Sequence, residues 1–320
     1  AMRKPRPEEK SRSGSLSTIG IPRALYYFHY YPLWSNFLEG LGFQVIFSPP
    51  TNKEILEWGL LTCVDGACLP LKAYVGHAQA LTQAGVDQLF VPELIGVWKR
   101  EFICTSFLGL PDLLRQYLPS TSILLKPILD GRKGSRELTK CYWRFGRNYA
   151  SRARVKASWI RAVEAQNDFE QTNRMQRQLT HNSQLIILVL GPRYLIDDPF
   201  LNGNLISHLK GLGVRILTPA CIDDETSHHT NLSLSKPFFW SGARSSIGAL
   251  DFFVSQLDGV INLTPFACGA QSLLGVVVEQ KAITEGLPTL AVHLDEHTSE
   301  LGILTRLEAF CDLLERKKHQ

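Results

Sequence analysis

Short apolar runs alternate with longer amphipathic stretches along most of the chain, and each change is marked by proline, glycine or asparagine. The runs at residues 17–25, 43–47, 86–92 and 122–128 predict strands, the first of them entering a loop. Between them, helices are expected at about 32–41, 52–59, 70–85 and 104–117. Pro32 and Pro70 suit first helical turns, while Gly42 and Gly85 suit stops. Residues 93–103 read as a connection. After residue 183 the same alternation returns, with strands at 185–190, 214–218, 260–264 and 287–294. Residues 191–194 read as a loop, and helices are expected from there to 211, over most of 236–256, from about 271 to 285 and from about 300 to 316. Strand–helix alternation with short breaks is the pattern of a parallel sheet covered on both faces. The fold expected is α/β, with two Rossmann-like lobes whose parallel sheets are flanked by helices.

Residues 132–182 have a different pattern. They are rich in Arg, Lys, Gln and Asn, hold Trp143, Phe145, Tyr149, Trp159 and Phe169 at intervals, and contain no proline. A long helix or helical pair packing one face is expected. The division is therefore a polar, disordered tail at 1–17, a first lobe at 18–130, a helical linker at 131–183 and a second lobe at 184–320. The two lobes share no close sequence repeat.

Composition narrows the function classes. Hydrophobic residues are 44% and charged residues 20% of the 320, and the formal net charge is only +4. The basic residues gather in the tail and at 132–161, without a nucleic-acid-binding signature, so no nucleic-acid partner is expected. No apolar run has membrane-spanning length, and the tail lacks the apolar segment of a secretory signal, so a cytoplasmic protein with reduced thiols is expected. The seven cysteines are an odd number and widely spread. That argues against a disulfide framework and leaves core thiols, a metal or a cluster.

Three cysteines share a setting. Cys68, Cys104 and Cys268 each adjoin a strand end and precede a predicted helix, where unsatisfied N–H groups favour an anionic sulfur. In open α/β sheets, ligand sites gather beyond the carboxyl ends of the strands. Loops from two facing lobes could bring the three thiols to one cluster, although their spacing has no local Cys-x-x-Cys signature. Each also reads as a small buried core thiol. Cys63 is a possible fourth ligand; Cys141, Cys221 and Cys311 read as core thiols. His77 reads as a helix-face histidine, and His228-His229 lie in a polar loop at 223–235. His293 and His297 flank Asp295-Glu296, which serve equally as metal ligands or as caps. Nucleotide-cradling glycine loops and a G-x-S-x-G elbow are absent.

The chain also resembles a known group. I-G-I-P-R-A-L and Y-P-L-W-S-N-F-L-E-G-L-G-F-Q-V are similar to the opening of proteins described as activators of CoA-substrate-specific enzymes. These stand with the 2-hydroxyacyl-CoA dehydratase and benzoyl-CoA reductase subunits and the double-cubane cluster proteins. C-L-P-L-K-A-Y-V-G-H resembles the group's Cys-x-Pro-x-Lys followed by Gly-His. G-P-R-Y-L-I-D-D-P-F-L-N, P-F-A-C-G-A-Q-S and D-E-H-T-S-E-L-G-I-L-T-R-L-E-A-F carry the likeness to about residue 315. The resemblance implies a 4Fe-4S-type cluster on Cys68, Cys104 and Cys268, single or in a double-cubane variant, with one iron left without a protein ligand. It implies low-potential electron transfer or reductive chemistry with an ATP-dependent activase or reductase partner, in a homo- or hetero-oligomer. A non-catalytic electron carrier or scaffold, and a cluster-free binding module, are the alternatives. Two departures stand out: Cys268-Gly269-Ala270 where the group has Cys-Gly-Pro, and Cys104-Thr105 where it often has Cys-Pro. The group's actin-like ATPase module has no counterpart in these residues, so "activator" is expected to describe a neighbouring domain of longer relatives. Lys72 and His77 would tune the cluster from the helix behind Cys68. Ser106 and Gln271 would hydrogen-bond its sulfurs or a ligand, and Arg23 would hold an anionic substrate or form a salt bridge.

Overall fold

A computed structural model describes residues 16–175, 185–229 and 238–319. In the first lobe, β1 (Thr18–Ile21), β2 (Gln44–Phe47), β3 (Gln88–Phe90) and β5 (Ile123–Leu125) form a parallel sheet in the order β2-β1-β3-β5. In the second, β7 (Ile186–Leu190), β8 (Arg215–Leu217), β9 (Gly259–Pro265) and β10 (Thr289–Leu294) form another, in the order β10-β9-β7-β8. Numbered within its lobe, each sheet runs 2-1-3-4, so the lobes repeat one topology. Strand β7 is apolar throughout and every residue of β9 is buried, Asn262 and Thr264 included, as expected of parallel sheets covered on both faces. The connection changes side between β1 and β3 and again between β7 and β9. Those are the two places where loops part and leave a crevice.

Two expectations need correction at the first sheet. Residues 122–128 are not one strand, and 93–103 is not a plain connection. Pro92 and Pro127 each lack the N–H that would continue a ladder. Beyond them the chain re-forms a two-stranded sheet from β4 (Glu93–Gly96) and β6 (Ile128–Asp130). Val91 N–H donates to the Leu125 carbonyl and Glu93 N–H to that of Pro127, so the small sheet continues the large one.

Helix α1 (Tyr27–Leu41) also starts earlier than expected, with Pro32 inside it. Packing outweighs the proline: Tyr27 stacks with Tyr31, and Tyr31 meets Phe169 edge-on. Gly42 ends the helix in the left-handed region, with φ 108°. Two helices follow β2. These are α2 (Lys53–Thr62), capped by Asn52 accepting from the Ile55 N–H at 2.9 Å, and α3 (Leu69–Gln83). They cross closely at two glycines. A Cβ on Gly59 would lie 1.9 Å from the Lys72 carbonyl oxygen, and one on Gly76 would lie 1.8 Å from that of Ile55. Alanine normally strengthens a helix, but Gly76→Ala is expected to cost about 2–3 kcal/mol by forcing α3 off α2. Urea unfolding checks this, and a variant as stable as the parent contradicts the packing.

Helices α4 (Thr105–Leu108) and α5 (Leu110–Tyr117) complete the first lobe. The basic segment forms α6 (Ser135–Gly146) and α7 (Arg152–Met175), both laid on this lobe. Tyr142, Phe145, Val155 and Ala162 enter its core, and Trp34 Nε1–H donates to the Tyr142 hydroxyl at 3.0 Å. In the second lobe, α8 (Arg193–Ile196), α9 (Leu205–Gly211), α10 (Asp224–His229), α11 (Ser241–Phe253), α12 (Gly269–Thr284) and α13 (Glu300–Lys318) surround the sheet. The segment expected as loop at 223–235 thus begins as α10, while 230–235 lie outside the described residues, as do 1–15 of the expected tail. Leu56, Leu69 and Ala73 from α2 and α3 pack into one second-lobe core, so the lobes share apolar interior.

Candidate functional site in the inter-lobe cleft

The crevices of the two sheets open onto one another. Loops after β1, β4, β7 and β9, with α7, surround a cavity of about 220 Å³. Three of these loops hold a non-glycine residue in the left-handed region: Leu25 (φ 53°), Arg100 (φ 63°) and Ala267 (φ 62°). Each immediately precedes or leads into a site element. That placement costs of order 1 kcal/mol apiece and is typical of loops shaped by function.

Cys68, Cys104 and Cys268 are the residues immediately before α3, α4 and α12, each half-buried and unbridged. Cys104 and Cys268 line the cavity; Cys68 does not, but its thiol feels both. Burial pushes Cys68 up to about 11, the Leu71 N–H opposes this, and the charges of Cys268 and Cys104 add to it. Burial likewise raises Cys268, against the N–H groups of Gln271 and Ala270, with Cys104 raising it further. Both sulfurs therefore sit at helix starts whose N–H groups favour an anionic form, although neither side chain caps its helix by a hydrogen bond. Tyr194 is the common neighbour; the loop expected at 191–194 already turns into α8 at Arg193, so Tyr194 is held on a helix. Burial raises its hydroxyl first, followed by Cys268, Cys68, Tyr26 and Cys104.

Other sequence-predicted residues have different duties. Lys72 lies under the lobe interface, its ammonium 2.9 Å from Glu296 Oε1 across the cleft. His77 is fully buried, with Nδ1 2.9 Å from Ser48 Oγ and Nε2 3.0 Å from Thr51 Oγ1. Thr51 also donates to Asp198 of the second lobe. These two residues serve the lobe junction. Arg23 stacks over Tyr27 at 5.5 Å. Ser106 is solvent-exposed, while Gln271 is buried at the cavity wall. Asp295 caps its own turn, accepting from the His297 N–H and the Thr298 hydroxyl, and His293 and His297 point to solvent. Cys63 is buried at the end of α2, Cys221 contacts Thr218, and Cys141 and Cys311 pack with the two lobes' cores. The side chains of His228 and His229 lie outside the described residues.

Sequence reasoning missed one wall. Gln166, Glu170, Asn173 and Arg174 of α7 face the cavity at helical spacing, joined by His29 from α1. Burial, then Arg193, lowers His29 to about 3, so it is neutral. The spacing was visible in the sequence, but a polar helix stripe looks the same whether it faces water or a cleft. Glu101 is fully buried and bonds Arg244 of the other lobe at 3.2 Å, beside a two-way backbone pairing between Phe102 and residues 239–241.

The family model described as "CoA enzyme activase uncharacterised domain" matches residues 18–222. The chain belongs to that family. The match takes in Cys68 and Cys104 and stops short of Cys268. No curated protein matches. Among solved structures, the SBP FpvC of P. aeruginosa with Ni2+ is similar at 10% identity, covering 95% of this chain and 98% of that one, with a TM-score of 0.28. ZnuA is similar at 10% identity over 94% and 99%, with a TM-score of 0.26. Scores so low inform nothing about chemistry. Among the described residues no helix is long and apolar enough to cross a membrane, and no three His, Cys, Asp or Glu side chains are grouped to hold a single metal ion.

Proposed function

We propose that this chain is an iron–sulfur protein akin to the 2-hydroxyacyl-CoA dehydratase and benzoyl-CoA reductase subunits, with Cys68, Cys104 and Cys268 holding one 4Fe-4S cluster. It would work in low-potential reductive chemistry with an ATP-dependent activase. The observation that carries this reading is that Cys104 of the first lobe and Cys268 of the second line one cavity at helix starts, with Cys68, also at a helix start, within electrostatic reach of both.

The donor set fits a cluster better than a lone ion. A tetrahedral ion with bonds of about 2.3 Å needs its sulfurs roughly 4 Å apart. Among the described residues no three such side chains are grouped for one ion, and a cubane takes thiolates spread more widely. Burial raises both Cys68 and Cys268, and bound iron would favour their thiolate forms. When bound, such a cluster supplies one electron at low potential. The protein's part is to exclude water and set that potential. Burial favours a low value, and the N–H groups of Leu71, Ala270 and Gln271 moderate it. The cavity beside two of the thiols favours a substrate-bearing component over a bare electron carrier.

Anaerobically prepared protein treated with dithionite, and separately with ATP and an activase, tests this by visible and EPR spectroscopy. Bleaching with a new paramagnetic signal is expected in both cases. Spectra unaltered by dithionite would refute the electron-transfer role.

A further inference from the structure

We infer that the inter-lobe cavity binds a small uncharged molecule with a flat apolar body and an amide-like head that both donates and accepts hydrogen bonds. Five buried polar atoms at its wall have no partner: His29 Nδ1, Gln166 Oε1, Asn173 Nδ2, Ser241 Oγ and Gln271 Nε2. Folded proteins leave few such atoms dry, because each costs about 1–3 kcal/mol unless something satisfies it. Gln166 and Gln271 are each only 7% exposed. The Gln166 amide cannot simply turn over. Its Nε2 already donates to the His29 carbonyl at 2.8 Å and to Glu170 Oε1 at 2.9 Å, which leaves Oε1 as an acceptor toward the cavity. Asn173 and Gln271 present donors from α7 and α12, and the Ser241 hydroxyl does either.

The charges exclude an anion. Arg193 is bound to Asp197 at 2.6 Å and Arg244 to Glu101 at 3.2 Å. Asp223 is held low by the Thr226 N–H first, and Arg174 contributes to it. The wall carries four carboxylates, Glu101, Glu170, Asp197 and Asp223, against two guanidiniums, Arg174 and Arg193, so an anionic ligand would meet net negative charge. Tyr26, Phe107, Tyr194 and Trp240 supply flat apolar surface. An apolar cavity of about 150 Å³ accepts benzene, so one of about 220 Å³ accepts roughly nine or ten non-hydrogen atoms. Only the ligand's place beside a cluster rests on the reading above; the pocket itself does not.

Calorimetry and ligand-observed NMR on the full chain, with phenylacetamide, phenylacetate and ethylbenzene as probes, test the inference. The amide is expected to bind at one site per chain, and both the carboxylate and the hydrocarbon at least about tenfold more weakly. Gln271→Leu should weaken the amide about five- to tenfold and the milder Ser241→Ala about threefold, in line with the loss of single neutral hydrogen bonds. Circular dichroism verifies that both variants fold. Carboxylate binding as tight as the amide, amide binding unchanged in both variants, or no amide binding by either method overturns the inference. Iron-free protein that still binds phenylacetamide keeps the pocket and removes only the cluster.

Discussion

Replacing Cys268 with alanine is expected to take the iron content of anaerobically reconstituted protein from about four atoms per chain to nearly none, with loss of the visible absorption. With three protein ligands, losing one leaves two thiolates on a four-iron unit, too few to hold it against solvent and free thiols. Cys268 is the second lobe's only sulfur in the group, so its removal separates a shared site from one completed within the first lobe. Cys68→Ala and Cys104→Ala should behave alike. Cys141→Ala and Cys311→Ala should keep full iron, since those thiols pack with the cores. Cys63 is the discriminating control, because it feels the charge of Cys68 as well as that of Lys72. If Cys63→Ala loses iron while Cys268→Ala keeps it, the ligand set lies within the first lobe alone.

Glu296→Ala should destabilise the fold by about 2–3 kcal/mol, the largest loss expected from a single surface-accessible side chain. It strands the Lys72 ammonium, whose side chain is 6% exposed, without its partner. Breaking a fully buried pair costs about 3–5 kcal/mol, and the 22% exposure of the Glu296 side chain reduces that by letting water reach the gap. Lys72→Met should cost less than about 1 kcal/mol, because it removes the buried charge and leaves Glu296 able to turn outward. The pH dependence follows. The Lys72 hydrogen bond, foremost, holds Glu296 below its ordinary 4.5. A depressed carboxyl contributes fully above its unfolded value and loses that contribution as pH falls through the folded one. Wild-type stability should therefore fall below about pH 4.5 more steeply than that of Glu296→Gln. Equal costs for Glu296→Ala and Lys72→Met would contradict this account of the lobe junction.

The parts of the fold legible in the sequence were those fixed by local pattern. Apolar runs such as 185–190 and 260–264 could be little else but buried strands, and Gly42 and Gly85 stopped their helices as expected. What escaped depended on distant partners. Pro32 looked like a helix start because the aromatic contacts that carry α1 past it come from elsewhere, Phe169 among them. The small sheet of β4 and β6 escaped because its strands are short and pair only with each other. At the site, the helix starts after Cys68, Cys104 and Cys268 were readable along the chain, but the strand end expected at Cys68 is not there, since Cys68 joins α2 to α3. Lys72 and His77 had conspicuous spacing from Cys68, yet their partners, Glu296 and the Thr51–Asp198 link, lie far off in sequence. The recognition wall of α7 was hidden for the same reason, since polar helix positions do not declare what they face.

The most direct test of a cluster shared between the lobes is iron and acid-labile sulfide analysis of the full chain, purified and reconstituted without oxygen. About four irons and about four sulfides per chain are predicted, for one cubane on Cys68, Cys104 and Cys268. A folded protein that holds neither iron nor sulfide after reconstitution would contradict it.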